Sequence, residues 1–510
     1  MPSENNRRIA KNALLLYVRM FFIMLVSFYT SRIVLNSLGV MDYGVYNVVG
    51  GIVGTLAYLT TAMATTIQRW LTIAIEKGDK ESIQQTFSVT LTTQVIIAII
   101  LIIMMETTGL WYLNEYAVIP ADRLNAAMIV FHISTITAAL TVLNAPFQGL
   151  ILSHEQMGIF AFFSIIDVLI KLSICFLLPI VQTDKLILYA ILLFAAFGIN
   201  LLCVWIYCLH HFHIHIKLQV DKSIMRNMWN VAFWNMTGKL VFVSYSQGLV
   251  LLINAFFGPA MNTAANISSQ ATNLLNQLGQ NFQVAVNPQI TKNYATGNYF
   301  EMQKLVFRSI KFSYFLMLFI AVPFFYEANL LLHFWLGNVP EHTLLFTRLA
   351  VFVTLTTSLS HPLNTAAIAC GNVRKYQLYT NSVLFFILPA TFLAYTENWM
   401  PETSCIIFAF FLFLSTFVAA WVLSSLVNLN FNSYITKVIF PISIVTLLAF
   451  LIPLPIYLYL STTWWRIIPV IMTSSIGTGL VIYFYGLNKD ERRFTAMIIK
   501  EKRILFGKKH

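Results

Sequence analysis

The sequence predicts an all-α integral membrane protein of about fourteen transmembrane helices, laid out as two pseudo-symmetric six-helix lobes plus two C-terminal helices. Three observations predict it. Hydrophobic residues make up 58% of the 510-residue chain and charged residues only 10%, against roughly a quarter charged in soluble domains. Mean hydropathy is +0.74 per residue. The apolar residues gather into runs of about 20, the length at which a helix crosses hydrocarbon with its backbone polar groups satisfied inside the segment.

The first two segments lie within residues 12–75, and the polar stretch LGVMDYG (38–44) predicts a short hairpin turn between them. Its two glycines suit backbone angles that other residues avoid. The next four segments fall near 84–105, 124–146, 157–181 and 185–209. The second half supplies 229–256, 260–286, 305–327, 343–369, 376–396, 404–427, 436–460 and 464–486. The segment at 260–286 is rich in Asn and Gln, so it is expected to face protein or water rather than lipid.

Lys and Arg set the orientation, because cytoplasmic loops carry their excess. With the N-terminus in the cytoplasm and an even helix count, 22 of the 32 cations fall on cytoplasmic ends and loops. Only Arg123, Lys185 and Arg466 fall on outer loops, and the other seven lie inside helices. Both termini are therefore expected in the cytoplasm. The net charge of +12 belongs to this membrane-surface placement and to the basic tail 489–510, which anionic lipid attracts; nucleic acid is not an expected partner. The N-terminal apolar run is too long for a cleavable signal and has no small-residue cleavage site.

A faint internal repeat divides the chain. Asn36 and Gly39 precede one helix, Asn254 and Gly258 another, at offsets of 218 and 219; Gly78 and Gly297, Phe87 and Phe307, Pro120 and Pro340, and Pro146 and Pro362 follow at 216 to 220. The repeat predicts an N-lobe over 1–216, a C-lobe over 217–430, two further helices over 431–488 and the tail. Repeats running in the same direction are related by an axis along the membrane normal, and transporters of this layout bind their cargo between the halves.

Arg19, Arg32 and Arg69 sit in or at the edge of apolar segments, and Lys239 sits mid-helix close to the repeat position matching Arg19. Cations are costly there and need a partner or a wet cavity. Arginine keeps its charge when desolvated and grips phosphate with a fork of donors, so these four predict a basic cavity for an anionic, phosphate-bearing substrate. The alternative is that Arg32 and Arg69 snorkel to the interfaces. Asp167 and Lys171 are four apart and share a helix face, either as a structural ion pair or as a titrating site coupled to ion movement. Arg308 and Lys311 are either anchors or cavity cations. Glu106, Glu155 and Glu327 lie near helix ends and are expected to stay wet, and Gly50 and Gly54 have the spacing of a close helix contact.

No cofactor is expected. The run HHFHIHIKL (210–218) alternates its histidines in a way only an extended segment would align, with no thiolate or carboxylate to complete a metal site. The five cysteines have no metal spacing and read as small core residues. No P-loop, paired-aspartate or zinc-helix signature is present, and the connections are too short to hold a catalytic domain.

Arg32 followed by LNSLGVMDYGVYNVVGGI, then Gln68 and Arg69, then APFQGLILSHEQM (145–157), resembles the Wzx-type polysaccharide-export flippases of the multidrug/oligosaccharidyl-lipid/polysaccharide superfamily. The likeness covers essentially the whole chain in helix number and layout, with the specific motifs in its first 160 residues. What the resemblance implies is movement of an undecaprenyl-diphosphate-linked oligosaccharide to the outer leaflet by alternating access. Arg19, Arg32, Arg69 and Lys239 would then hold the diphosphate, and Asn254, Asn262, Asn266, Gln270, Asn273 and Gln277 would wall the sugar path. Membrane lipids are implied partners, and a polysaccharide polymerase and chain-length machinery are compatible ones. A cation-coupled drug exporter of the same superfamily is the competing reading. A membrane-embedded glycan polymerase or acyltransferase is a third.

Overall fold

The computed structural model describes residues 2–76, 79–154, 156–370, 373–460, 464–488 and 491–492, with some helix side chains among them left undescribed. Among the described residues every regular element is helical. In chain order the helices are α1 (Pro2–Glu76), α2 (Lys80–Glu115), α3 (Leu124–Ser153), α4 (Met157–Leu177), α5 (Lys185–His211), α6 (Lys222–Phe257) and α7 (Pro259–Ala295). There follow α8 (Tyr299–Leu336), α9 (Thr343–Ala369), α10 (Val373–Thr396), α11 (Thr403–Val427), α12 (Phe431–Tyr459) and α13 (Ile467–Gly486). Among the described residues 11 helical stretches are long and apolar enough to cross a membrane, and Val243–Phe257 is a shorter apolar one. Each predicted segment from 84–105 onward falls on one of α2 to α13.

The opening hairpin needs correction. Residues 38–44 do not form a polar loop: the helix of α1 breaks only at Gly39, at φ 80 and ψ 170, and Val40 to Gly44 already belong to its second arm. One glycine in that region does what a longer turn would otherwise do, since a Cβ is disfavoured there. Gly258, which separates α6 from α7, has φ 81.

The chain resolves into two compact units, one of residues 1–266 with 335–341 and 391–401, the other of 267–334, 342–390 and 402–510. In the first, Ile67 and Leu71 of α1 pack with Phe87 of α2, Phe147 and Leu150 of α3, and Val204 of α5. The Phe147 ring lies 5.1 Å from Phe87 and 4.8 Å from Trp205. The second arm of α1 also packs on α6. Lipid is as apolar as a leucine side chain, so such contacts rely on close approach. The register differs from the expected one: Gly50 faces open space, whereas Gly51 lies against Val250 and Gly54 against Gln247. After α5 the histidine-rich segment is tied to α2, where Gln84 donates to the His215 carbonyl and accepts its N–H.

In the second unit, Ile310, Phe315 and Leu318 of α8 form a core with Leu355 of α9, Ala420 of α11, Val445 of α12 and Val470 of α13. Two π-helical turns interrupt this unit's last helices, Ile435–Ile439 in α12 and Ile482–Gly486 ending α13.

Candidate functional site

A polar cavity of about 370 Å3 lies inside the first unit, bounded by Ile23 and Ser27 of α1 and by α3, α4 and α5. Asp167, Lys171, Asn144, Gln148, Asn200 and Ser164 supply its polar wall. The local sequence accounts for the arrangement. Asp167 and Lys171 are one turn apart on α4, and the Lys171 ammonium donates to the Asp167 carboxylate at 2.7 Å. Pro146 stands between Asn144 and Gln148 on α3; it lacks an N–H and so loosens the helix between two amide side chains. Trp205 donates to the Asn144 side-chain oxygen at 3.2 Å, and Asn200 donates to the Phe163 carbonyl at 3.1 Å.

The Lys171 and Asp167 side chains are 43% and 20% exposed, so the pair opens onto the cavity rather than being sealed in the core. A carboxylate lining a polar cavity, with a lysine as its counter-charge, can trade that lysine for another cation. That is the chemistry an ion-coupling site requires.

The other residues singled out from sequence are not gathered in this cavity. The side chains of Arg19, Arg69 and Lys239 lie outside the described residues. Arg32 is exposed near the end of α1's first arm, its guanidinium facing Gly337. Asn254 is fully buried and ties down the loop after α2, accepting from the Val118 N–H at 3.0 Å and donating to its carbonyl at 3.3 Å. Asn266 and Gln270 are half-buried on α7.

Two ionic clusters escaped sequence reasoning. Arg123, just before α3, binds both Asp42 of α1 and Asp184 at the start of α5, the latter at 2.8 Å. Asp184 also caps α5, accepting from the N–H groups of Leu186 and Ile187 at 3.0 and 3.3 Å. Burial opposes its charge, but the Arg123 guanidinium and these N–H donors outweigh burial and hold the carboxyl below its ordinary range. The one signal in the sequence was that Arg123 is among only three outer cations.

The second cluster corrects an expectation. Glu327 is not wet: it is fully buried, and Arg466 grips it with two hydrogen bonds of 3.0 and 3.1 Å. The Arg466 guanidinium also lies 4.5 Å over the Tyr457 ring, whose hydroxyl accepts from Arg348 at 2.9 Å. A forked cation supplies both the charge and the donors that let a carboxylate leave water. Arg466 is thus 3% exposed rather than a loop cation.

No family model matches the sequence, and no curated protein matches it. Solved structures do match. A lipid II flippase MurJ in an inward closed conformation superimposes with a TM-score of 0.68 at 10% identity, over 92% of this chain and 99% of that one. An inward-facing multidrug resistance MATE family transporter of the MOP superfamily gives 0.59 at 13% identity, over 81% and 98%. Its outward-facing counterpart gives 0.54 at 14%, over 82% and 96%. At these identities the likeness establishes a shared fold.

Proposed function

We propose that this protein is a transporter of the multidrug/oligosaccharidyl-lipid/polysaccharide superfamily, of the polysaccharide-flippase type. It moves an undecaprenyl-diphosphate-linked oligosaccharide from the cytoplasmic to the outer leaflet by alternating access, for a surface polysaccharide such as O-antigen, capsule or exopolysaccharide. The observation that carries this reading is the fold shared with the lipid II flippase along nearly the full length of both chains. The cation pattern of the sequence supports it: Arg19, Arg32, Arg69 and Lys239 offer the diphosphate its counter-charge, while Asn266 and Gln270 offer hydrogen bonds to sugar. Asn254 acts by holding the loop after α2. The protein sits in the inner membrane with both termini in the cytoplasm, and a potential negative inside favours outward passage of an anion by about 2.3 kcal/mol per charge per 100 mV. Deleting the gene and identifying the carrier-linked sugar that accumulates tests this reading. It predicts an undecaprenyl-diphosphate oligosaccharide trapped on the cytoplasmic leaflet; no such accumulation in the deletion strain counts against it.

The Asp167–Lys171 pair supports a second reading, a cation-coupled exporter with the fold of the multidrug transporters. The pair separates the readings. In an exporter, Asp167→Asn abolishes proton- or sodium-driven efflux of organic cations. In a flippase, wild type and variant alike show no such efflux.

A further inference from the structure

The second unit contains a basic pocket that the transport reading does not use. Its volume is about 280 Å3, and its lining includes Lys304, Arg308 and Lys311 of α8, Lys437 of α12, and Asn488 and Glu491 beyond α13. Four cations thus meet one carboxylate, and that carboxylate is already engaged. Glu491 accepts from the buried Lys311 ammonium at 2.6 Å and from the Asn488 N–H at 2.8 Å. Lys304 is held only loosely by Glu301, at 3.6 Å, and both side chains are about half exposed. Lys437 makes no ion pair among the described residues and is exposed.

The backbone is shaped around this pocket. Lys437 sits within the π-helical turn Ile435–Ile439, and the turn Ile482–Gly486 ends two residues before Asn488. Turns of this kind are rare and recur at functional sites. The surroundings are aromatic. Phe300 at the pocket wall is 75% exposed and Phe440, one turn on from Lys437, is 62% exposed. Tyr483, Phe484 and Tyr485 are also exposed. Tyrosines such as Tyr483 and Tyr485 collect at the headgroup level of a bilayer because their rings are amphipathic, and basic pockets between helices there take anionic head groups.

We propose that this pocket is a phosphate-binding site, filled by the headgroup of an anionic phospholipid or by a soluble phosphoryl group, the aromatic rim favouring the lipid. Lys437 and Lys304 grip the phosphate at the mouth, while the Lys311–Glu491 pair fixes the floor. The proposal is independent of what the protein transports.

The test uses the full-length protein in detergent, with unfolding followed at increasing phosphatidylglycerol, phosphatidylcholine or inorganic phosphate at matched ionic strength. The variant is Lys304→Gln with Lys437→Gln, both exposed positions, and circular dichroism confirms that it folds. Phosphatidylglycerol is expected to stabilise the wild type where phosphatidylcholine does not, with at least a fivefold higher half-effect concentration in the variant. Stabilisation by inorganic phosphate, lost in the variant, supports the same site filled from solution. Equal responses to the two lipids with none to phosphate overturn the proposal, as do equal responses of wild type and variant.

Discussion

Gly44 crosses Pro259 so closely that a Cβ at position 44 would stand 2.1 Å from the Pro259 carbonyl oxygen. The second arm of α1 and the start of α7 are thus held together at a point where only glycine fits, and the Thr263 hydroxyl donates to the Val40 carbonyl at 2.8 Å beside it. Gly44→Ala forces backbone apart and is expected to destabilise by about 1–3 kcal/mol, the usual cost of overpacking. Gly50→Ala, which meets nothing within 4 Å, is the control and is expected to be neutral or to stabilise by up to about 1 kcal/mol through helix propensity. Thermal unfolding of the two variants in one detergent checks this; equal melting temperatures would contradict the contact.

Acid should weaken the tie made by Arg123. Asp184 is held below its ordinary pKa of 3.8, so it binds a proton less readily folded than unfolded. Its contribution is present above that ordinary value and is lost as pH falls through the lower folded one. About a third of the Asp184 side chain is exposed, which limits the contribution to about 1 kcal/mol or less. Asp184→Asn is therefore expected to melt below wild type at pH 7 and to converge on it below pH 3.8. A gap that stays constant from pH 7 to pH 3 goes against it.

For Glu327 and Arg466 the expected cost is much larger, because removing one partner strands a buried charge. Arg466→Met or Glu327→Gln alone should destabilise by about 3–5 kcal/mol, and the double variant should recover most of that loss. A double-mutant cycle measured by denaturant or thermal unfolding reads the coupling directly. Additive single effects would show that the pair is not coupled.

The spans were legible because length and hydropathy are local properties, and among the described residues every helix from α2 to α13 except α6 and α7 carries an apolar run long enough to cross a membrane. The repeat was legible through residues whose roles the structure explains. Asn36 donates to the Leu336 carbonyl at 3.4 Å, while Asn254 bonds the Val118 backbone; both pairs of positions, 36 with 254 and 118 with 336, are 218 apart. In the same way Arg123 binds Asp184, and His342 binds Glu402 at repeat-matched positions. These partners were not legible, since Arg466 and Glu327 are separated by 139 residues and no local pattern joins them. That distance is why Glu327 reads as a wet helix end in sequence. The hairpin was misread for a different reason: a single positive-φ glycine looks, in sequence, like one part of a longer turn.

The most direct test of the transport reading is movement of a fluorescent undecaprenyl-diphosphate oligosaccharide between leaflets of proteoliposomes, for wild type and for Arg19→Gln and Lys239→Gln. The expected result is transfer well above protein-free vesicles in the wild type and at least a tenfold loss in each folded variant. Wild-type transfer no faster than in protein-free vesicles would contradict the flippase, and unchanged transfer in both variants would remove those two cations from the cargo's path.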